Sequence, residues 1–183
     1  MKSIAVYCGA SFGADPTYAD AARALAQVLV GHNIGLVYGG GNVGLMGVIA
    51  DEVLRLGGEA TGVIPRALVE REVGHTGLTR MFVVKDMHER KAMMAELSDG
   101  FIAMPGGMGT LEELFEMLTW SQLGIHAKPV GVLNVGGFYD GLVGFLAHLH
   151  AEGFVRAEHA GLMMVESTAE ALMRRLQNPV MTA

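Results

Sequence analysis

A glycine-rich turn followed by two acidic residues is the feature of the sequence whose residue types and spacing most clearly suggest chemistry. Pro105-Gly106-Gly107-Met108-Gly109-Thr110 follows an apolar run, residues 101–104, and precedes a helix-patterned stretch, residues 111–123. A strand that enters a helix through such a turn directs backbone N–H groups and the positive end of the helix dipole toward one point. The turn therefore predicts an anion site, and phosphate is the anion that such sites commonly bind. Glu112 and Glu113 would repel that anion at close range, so a neighbouring sugar suits them better.

Seven short apolar runs alternate with helical segments along the chain. The predicted strands span residues 3–8, 34–38, 59–64, 81–84, 101–104, 129–133 and 163–165, and the predicted helices lie between and after them. Continuous apolar strands separated by amphipathic helices predict a doubly wound α/β fold, a mostly parallel, Rossmann-like sheet with helices on both faces. With 183 residues, 51% of them hydrophobic, the chain is expected to form one domain, residues 1–183.

A second glycine-rich turn follows the predicted strand 34–38. Gly39-Gly40-Gly41-Asn42-Val43-Gly44 has the G-x-G-x-x-G spacing of dinucleotide-binding loops, but no acidic residue ends the next strand, where a ribose partner belongs. A nicotinamide enzyme is therefore the weaker interpretation. Neither turn contains the Gly-Lys-Ser/Thr of a Walker-type loop, so ATP or GTP hydrolysis is not expected. The turns after residues 8, 38 and 104 all follow strands, so they can converge on one crevice, which Arg90 can approach.

Composition excludes several classes of partner. The formal net charge is -6 and no block of Lys or Arg occurs, which argues against a nucleic-acid surface. The single cysteine, Cys8, cannot form an intramolecular disulfide, and residues 1–3 lead into a strand rather than a signal-peptide core, so we expect a cytoplasmic protein. No apolar run approaches the ~18 residues that span a bilayer, and the scattered histidines predict no metal site.

Three motifs together resemble the LOG family, the cytokinin riboside 5'-monophosphate phosphoribohydrolases, which are often mislabelled as lysine decarboxylases. The motifs are residues 105–113, residues 38–47 and Asp86-Met87-His88-Glu89-Arg90-Lys91, and the resemblance runs from residue 8 to about residue 154. It implies hydrolysis of the N-glycosidic bond of N6-modified adenosine 5'-monophosphates to free base and ribose 5-phosphate, with AMP as a further candidate substrate. It also implies a homodimer and no cofactor.

The resemblance assigns roles to particular residues. Arg90 and Glu113 become the catalytic pair. The implied substrate contacts are Glu72, Lys91, Gly106, Gly107, Gly109, Thr110, Glu112, Thr119, Gly40, Gly41, Gly44 and Ser11. The loop before Ser11 has Ala10 where the family often has serine. These residue types fit the reaction, because a carboxylate beside ribose stabilises the positive charge that builds on the sugar, and a guanidinium binds anions bidentately.

The same side chains also have structural interpretations. Thr110-x-x-Glu113 matches a capping box, in which Glu113 would only hold the Thr110 amide. Glu112 competes with Glu113, because one residue of helix rotation, about 100°, decides which carboxylate faces the crevice. Arg90 and Lys91 also fit a solvent-facing charged pair, and Glu72 fits a charged surface loop. The alternative function is a nucleotide-binding module without turnover, against which the acidic pair counts, since binding an anion gains little from adjacent carboxylates.

Overall fold

A seven-stranded sheet runs through the middle of the protein. The computed structural model describes residues 1–69 and 74–178. Its strands are β1 (Ser3–Tyr7), β2 (Gly35–Tyr38), β3 (Ala60–Pro65), β4 (Arg80–Val84), β5 (Phe101–Ala103), β6 (Val130–Leu133) and β7 (Met163–Glu166). All neighbouring strands pair in parallel, in the order β4-β3-β2-β1-β5-β6-β7. The predicted doubly wound sheet is confirmed.

Helices cover both faces of the sheet. They are α1 (Thr17–Gly31), α2 (Gly44–Arg55), α3 (Arg66–Val69), α4 (Met87–Glu96), α5 (Met108–Gln122), α6 (Asp140–Ala151) and α7 (Ala169–Gln177). The spacing of Ala22, Leu25, Ala26 and Leu29 gives α1 one apolar face, which is fully buried. That face belongs to a core shared with α2 and α7, whereas α4 and α5 contribute Met94, Leu114 and Met117 to the core on the opposite face.

The order of the strands reverses at β1, which lies between β2 and β5. Loops on either side of such a switch point leave the sheet in opposite directions and open a crevice at the carboxyl ends of the strands. Here Gly9 N donates to Pro105 O at 3.1 Å, and Leu45 N donates to Gly9 O at 3.0 Å. The turns that follow β1, β2 and β5 therefore meet at one place, as predicted.

Helix α5 begins earlier than its apolar pattern indicates. Gly107 is its N-cap, with an extended backbone (φ -96°, ψ -154°), and Gly107 O accepts a hydrogen bond from Leu111 N at 3.1 Å. The first turn faces a cavity rather than the core, so it carries no apolar periodicity that would reveal it. Thr110 is the third helical residue rather than the cap, and the capping-box interpretation of Glu113 is wrong. Glu112 and Glu113 consequently lie in the second turn.

Candidate active site

The crevice at the switch point contains a cavity of about 440 Å³. It is lined by the end of β1 and the loop that follows, from Val6 to Ser11, by α4, the β5 turn and the start of α5, and by one residue each from the β2 turn, α2 and α3, namely Gly39, Met46 and Leu68. The polar and charged side chains among its lining residues are those of Tyr7, Ser11, Arg90, Thr110, Glu112 and Glu113. A space of this size and composition is typical of a small-molecule site.

Arg90 and Glu113 form an ion pair in the wall of this cavity. Arg90 Nη2 lies 3.8 Å from Glu113 Oε1, and only 7% and 11% of the two side chains are exposed. The side chain of Asp86 caps α4 by accepting a hydrogen bond from Glu89 N at 2.9 Å, which holds the first turn that carries Arg90. Gly39 makes room for the guanidinium, because a β-carbon there would lie 1.9 Å from Arg90 Nη2. Both charges are thus built into the wall rather than placed in solvent.

Lys91 points to different partners from its neighbour Arg90. Its ammonium contacts the carboxylate of Glu112 and lies 3.1 Å from Glu116 Oε1, so it joins α4 to α5. Burial alone would lower the pKa of Lys91, but the hydrogen bonds to Glu112 and Glu116 outweigh it and hold that pKa above its ordinary value. Lys91 is buried and does not line the cavity, whereas Glu112 lines it with a half-exposed side chain. The solvent-facing interpretation is therefore wrong for both Arg90 and Lys91.

The β5 turn, where the sequence predicts an anion site, borders the cavity. Gly107 and Gly109 line the cavity, and a β-carbon on either would meet no atom within 4 Å. The first N–H groups of α5 have no acceptor within their own helix, and the helix dipole favours a negative charge at that end. Gly106 instead packs inward, since its β-carbon would lie 2.2 Å from Thr110 Oγ1. It lines a smaller neighbouring cavity of about 190 Å³, to which Ser11 and Gly107 also belong.

Other predicted contacts lie away from the larger cavity. Gly40 packs near Ile64 and Met81, Gly41 forms an antiparallel bridge with Gly74, and Gly44 lies against the loop at Ser11. Thr119 is on an exposed part of α5, two helical turns beyond the cavity-lining residues. Glu72 lies outside the described residues.

Tyr7 lines the cavity, although the sequence analysis did not select it. The signal was available, since a hydroxyl-bearing residue ends an apolar strand immediately before the Cys8 loop. The sequence alone does not separate this tyrosine from a core residue, because a large, mostly apolar ring in a buried strand usually packs in the core.

No group of three or more His, Cys, Asp or Glu side chains in residues 1–69 and 74–178 is arranged to hold a metal ion. In that part of the chain, no helix has the length and apolarity required to cross a membrane.

The fold and the cavity define a class of protein, a doubly wound α/β domain with a glycine-rich cradle at its switch point. A family model described as "Possible lysine decarboxylase" matches residues 46–176. The chain is 51% identical over 174 residues to the probable cytokinin riboside 5'-monophosphate phosphoribohydrolase LOGL1 of Oryza sativa subsp. japonica, covering 95% of this chain and 78% of that protein. It is 48% identical over 180 residues to the cytokinin riboside 5'-monophosphate phosphoribohydrolase LOG1 of Arabidopsis thaliana, covering 98% and 84%. The chain belongs to the LOG family.

Solved structures share the fold at lower identity. The molybdenum cofactor binding protein from Rippkaea orientalis superposes with a TM-score of 0.71 at 22% identity, over 96% of this chain and 95% of that chain. The Moco carrier protein from Chlamydomonas reinhardtii gives a TM-score of 0.72 at 21% identity, over 96% and 97%. At this identity the similarity describes the architecture alone.

Proposed function

We propose that this protein hydrolyses the N-glycosidic bond of N6-modified adenosine 5'-monophosphates, the cytokinin riboside monophosphates, and releases the free base and ribose 5-phosphate. The observation that carries the proposal is the buried pair of Arg90 and Glu113 in the cavity that the anion cradle of α5 also borders. Relatives at 48 and 51% identity are named for this reaction, which supports the same assignment.

The cradle accounts for the requirement for a 5'-phosphate. The phosphate binds at the start of α5, where the Gly107 and Gly109 positions leave open space and the helix dipole attracts negative charge. Thr110 is buried in the same wall and supplies a hydroxyl. Glu113 lies one helical turn further along α5, which puts its carboxylate beside the sugar rather than the phosphate.

The reaction adds water across the bond between C1' of the ribose and the base. The oxygen of water bonds to C1', one of its protons goes to the departing base, and the other stays on the new hydroxyl. Positive charge builds on the sugar as the bond breaks, and the Glu113 carboxylate stabilises it and holds ribose hydroxyls or the attacking water. The guanidinium of Arg90 attracts negative charge on the substrate close to C1'. As the ion-pair partner of Glu113, it also keeps that carboxylate in place. No step requires a cofactor.

A direct assay tests the proposal. Purified protein is incubated with N6-isopentenyl-AMP, AMP and N6-isopentenyladenosine, and free base and ribose 5-phosphate are quantified. Base release is expected from N6-isopentenyl-AMP and not from the riboside, because the riboside has no phosphate for the α5 cradle. If neither monophosphate releases base while both bind in calorimetry, the protein is a nucleotide-binding module instead.

Replacing Glu113 with glutamine tests its role. Glu113→Gln keeps the shape of the side chain but removes its charge, so turnover should fall by about a hundredfold or more while the melting temperature stays near that of the wild type. Glu59→Gln is the control, since Glu59 is exposed and pairs with Arg80 far from the cavity. Full activity in Glu113→Gln would move the role to Glu112, and loss of activity through unfolding would make Glu113 structural.

The active form that we propose is a homodimer. Seven of the twelve residues of α6 are Ala, Val, Leu or Phe, yet none of its residues is buried. Phe145 on α6, Phe154 after it and Leu123 after α5 are 55%, 82% and 67% exposed. Apolar surface on this scale is typical of a protein interface, and a second copy of the chain is the occupant that we propose. Sedimentation is expected to give twice the 19.4 kDa mass of one chain.

A dimer also explains the position of Thr119. It is exposed on α5, away from the cavity of its own chain, so a contact between Thr119 and the substrate requires a second subunit. We assign Thr119 to the site of the partner across this interface. The substrate contact of Glu72 and the cytoplasmic location stay predictions.

A further inference from the structure

Three tyrosines are buried in the protein, and their hydroxyls are not equally satisfied. Tyr139 donates a hydrogen bond to Met104 O at 2.6 Å. The hydroxyls of Tyr7 and Tyr38 have no hydrogen-bond partner among the described residues, although both side chains are almost completely buried. A buried hydroxyl without a partner destabilises the folded state, so each of the two requires an explanation.

Tyr7 and Tyr38 occupy different surroundings. Tyr7 is the last residue of β1, its ring stacks on Phe101 with the centroids 6.2 Å apart, and it lines the larger cavity with Arg90 and Glu113. Tyr38 ends β2, packs in the core on the other face of the sheet, and does not line that cavity. A bound ligand can therefore satisfy the hydroxyl of Tyr7 but not that of Tyr38.

Burial and the neighbouring carboxylates keep the phenol of Tyr7 protonated. Burial raises the pKa of Tyr7 well above its ordinary value, and the carboxylates of Glu113 and Glu116 raise it further, against a smaller opposing effect of Arg90. The phenol therefore keeps its proton and acts as a hydrogen-bond donor. Arg90 Nε is a second buried donor without a partner among residues 1–69 and 74–178. Two unused donors and the Glu113 carboxylate thus belong to side chains of one cavity wall.

A sugar hydroxyl matches this arrangement better than a phosphate does. An alcohol oxygen can accept a hydrogen bond from the Tyr7 phenol while its own proton is donated to a carboxylate, whereas a phosphate would be repelled by Glu113. We propose that Tyr7 is a substrate-contacting residue, whose hydroxyl donates a hydrogen bond to a ribose hydroxyl that in turn donates to Glu113. This inference rests on the proposed function, because it takes the ligand to be a ribose 5-phosphate derivative.

A purely structural explanation competes with this one. Glu116 Oε2 is also buried and has no partner in the described part of the chain, so a water molecule could join it to the Tyr7 hydroxyl. Such a water would affect folding but would not distinguish one sugar from another. The two explanations therefore differ in the substrate dependence of a Tyr7 variant.

Tyr7→Phe removes the hydroxyl and retains the ring that stacks on Phe101. Its kcat/KM is measured on N6-isopentenyl-AMP and on the 2'-deoxy and 3'-deoxy forms of that nucleotide. We expect about a tenfold loss on the ribonucleotide, the size of one hydrogen bond, and no loss on the deoxy analogue that lacks the contacted hydroxyl. An equal loss on all three substrates, or no loss on any, would overturn the inference.

Tyr38→Phe is the matched control, since it deletes the other unsatisfied hydroxyl from a side chain that does not line the cavity. Its kcat/KM should equal that of the wild type on every substrate. Removing a buried hydroxyl without a partner should leave the melting temperature of both variants unchanged or raised. Tyr7→Phe would then lose activity without losing stability, a combination that a structural water does not predict.

Binding of ribose 5-phosphate separates the failure of this inference from that of the hydrolase. Calorimetry on the wild type, Tyr7→Phe and Tyr38→Phe needs no turnover, and about tenfold weaker binding is expected for Tyr7→Phe alone. If Tyr7→Phe alone binds more weakly but the wild type does not turn over substrate, the proposed hydrolase activity is rejected and the Tyr7 contact is supported. Turnover with unchanged binding would reject the Tyr7 contact alone, and a wild type that neither turns over nor binds would reject both.

Discussion

The turns after β2 and β5 are both rich in glycine, but their glycines have different surroundings. In the β2 turn, a β-carbon on Gly44 would lie 2.3 Å from Ser11 N, and one on Gly39 would lie 1.9 Å from Arg90 Nη2. In the β5 turn, a β-carbon on Gly107 or Gly109 would meet nothing within 4 Å. Gly39 and Gly44 of the β2 turn are thus packed against the protein's own atoms, whereas Gly107 and Gly109 of the β5 turn border the cavity in which we propose that the ligand binds.

This difference separates two reasons for glycine. At Gly44 the chain itself needs the room, and φ is +55°, a conformation that other residues rarely adopt. At Gly107 and Gly109 the backbone conformation accepts any residue that a helix start accepts, so the missing side chain benefits only a ligand. Substitutions in the two turns should therefore affect different quantities, stability in one and substrate binding in the other.

The largest expected effect is on stability, in Gly44→Ala. Left-handed backbone costs about 1–2 kcal/mol for alanine, and the contact with the backbone at Ser11 adds about as much. The free energy of unfolding, measured in urea, should fall by about 3 kcal/mol. Near-wild-type stability would show that the loop after β1, at Ser11, moves aside at little cost in free energy. The two turns would then no longer differ in their packing.

Gly107→Ala should reverse that result. The added methyl meets no protein atom, so the free energy of unfolding should change by less than about 0.5 kcal/mol. The methyl would enter the cradle that we propose for the phosphate, and displacing the substrate by about 1 Å can cost about a hundredfold in kcat/KM. Gly31→Ala is the control, because its β-carbon also meets nothing within 4 Å but lies at the end of α1, away from the cavity. Full activity in Gly107→Ala would place the phosphate elsewhere.

The sequence predicts the strands that precede the two turns better than it predicts the contacts of individual residues in and near those turns. All seven strands were found from continuous apolar runs, because the interior of a parallel sheet demands them. The sequence pattern does not reveal the start of α5, because Met108 is exposed to solvent and Gly109 lines the cavity, so neither carries a core pattern. The family resemblance implies substrate contacts for both Arg90 and Lys91. Adjacent helical residues point about 100° apart, and in the structure Arg90 lines the cavity whereas Lys91 contacts Glu112 and Glu116, so the substrate contact of Lys91 stays a prediction. The turns after β2 and β5 are similarly rich in glycine. Contacts between segments distant in sequence determine which of their glycines border the cavity, so a local sequence pattern cannot distinguish the two turns.

Gly109→Ala should have the smallest effect on the free energy of unfolding, and that effect should be stabilising. Gly109 is the second residue of α5, it is exposed, and its φ is not positive, so alanine fits the helix without strain. Alanine reduces the conformational entropy of the unfolded chain and favours the helix, which should raise the free energy of unfolding by about 0.5 kcal/mol. Activity should fall, because the methyl would enter the cavity that we propose for the phosphate. A variant that is more stable and less active would identify Gly109 as a glycine kept for its ligand. If stability decreased instead, Gly109 would be needed by the chain itself, as Gly44 is, and the contrast between the two turns would be confined to Gly107.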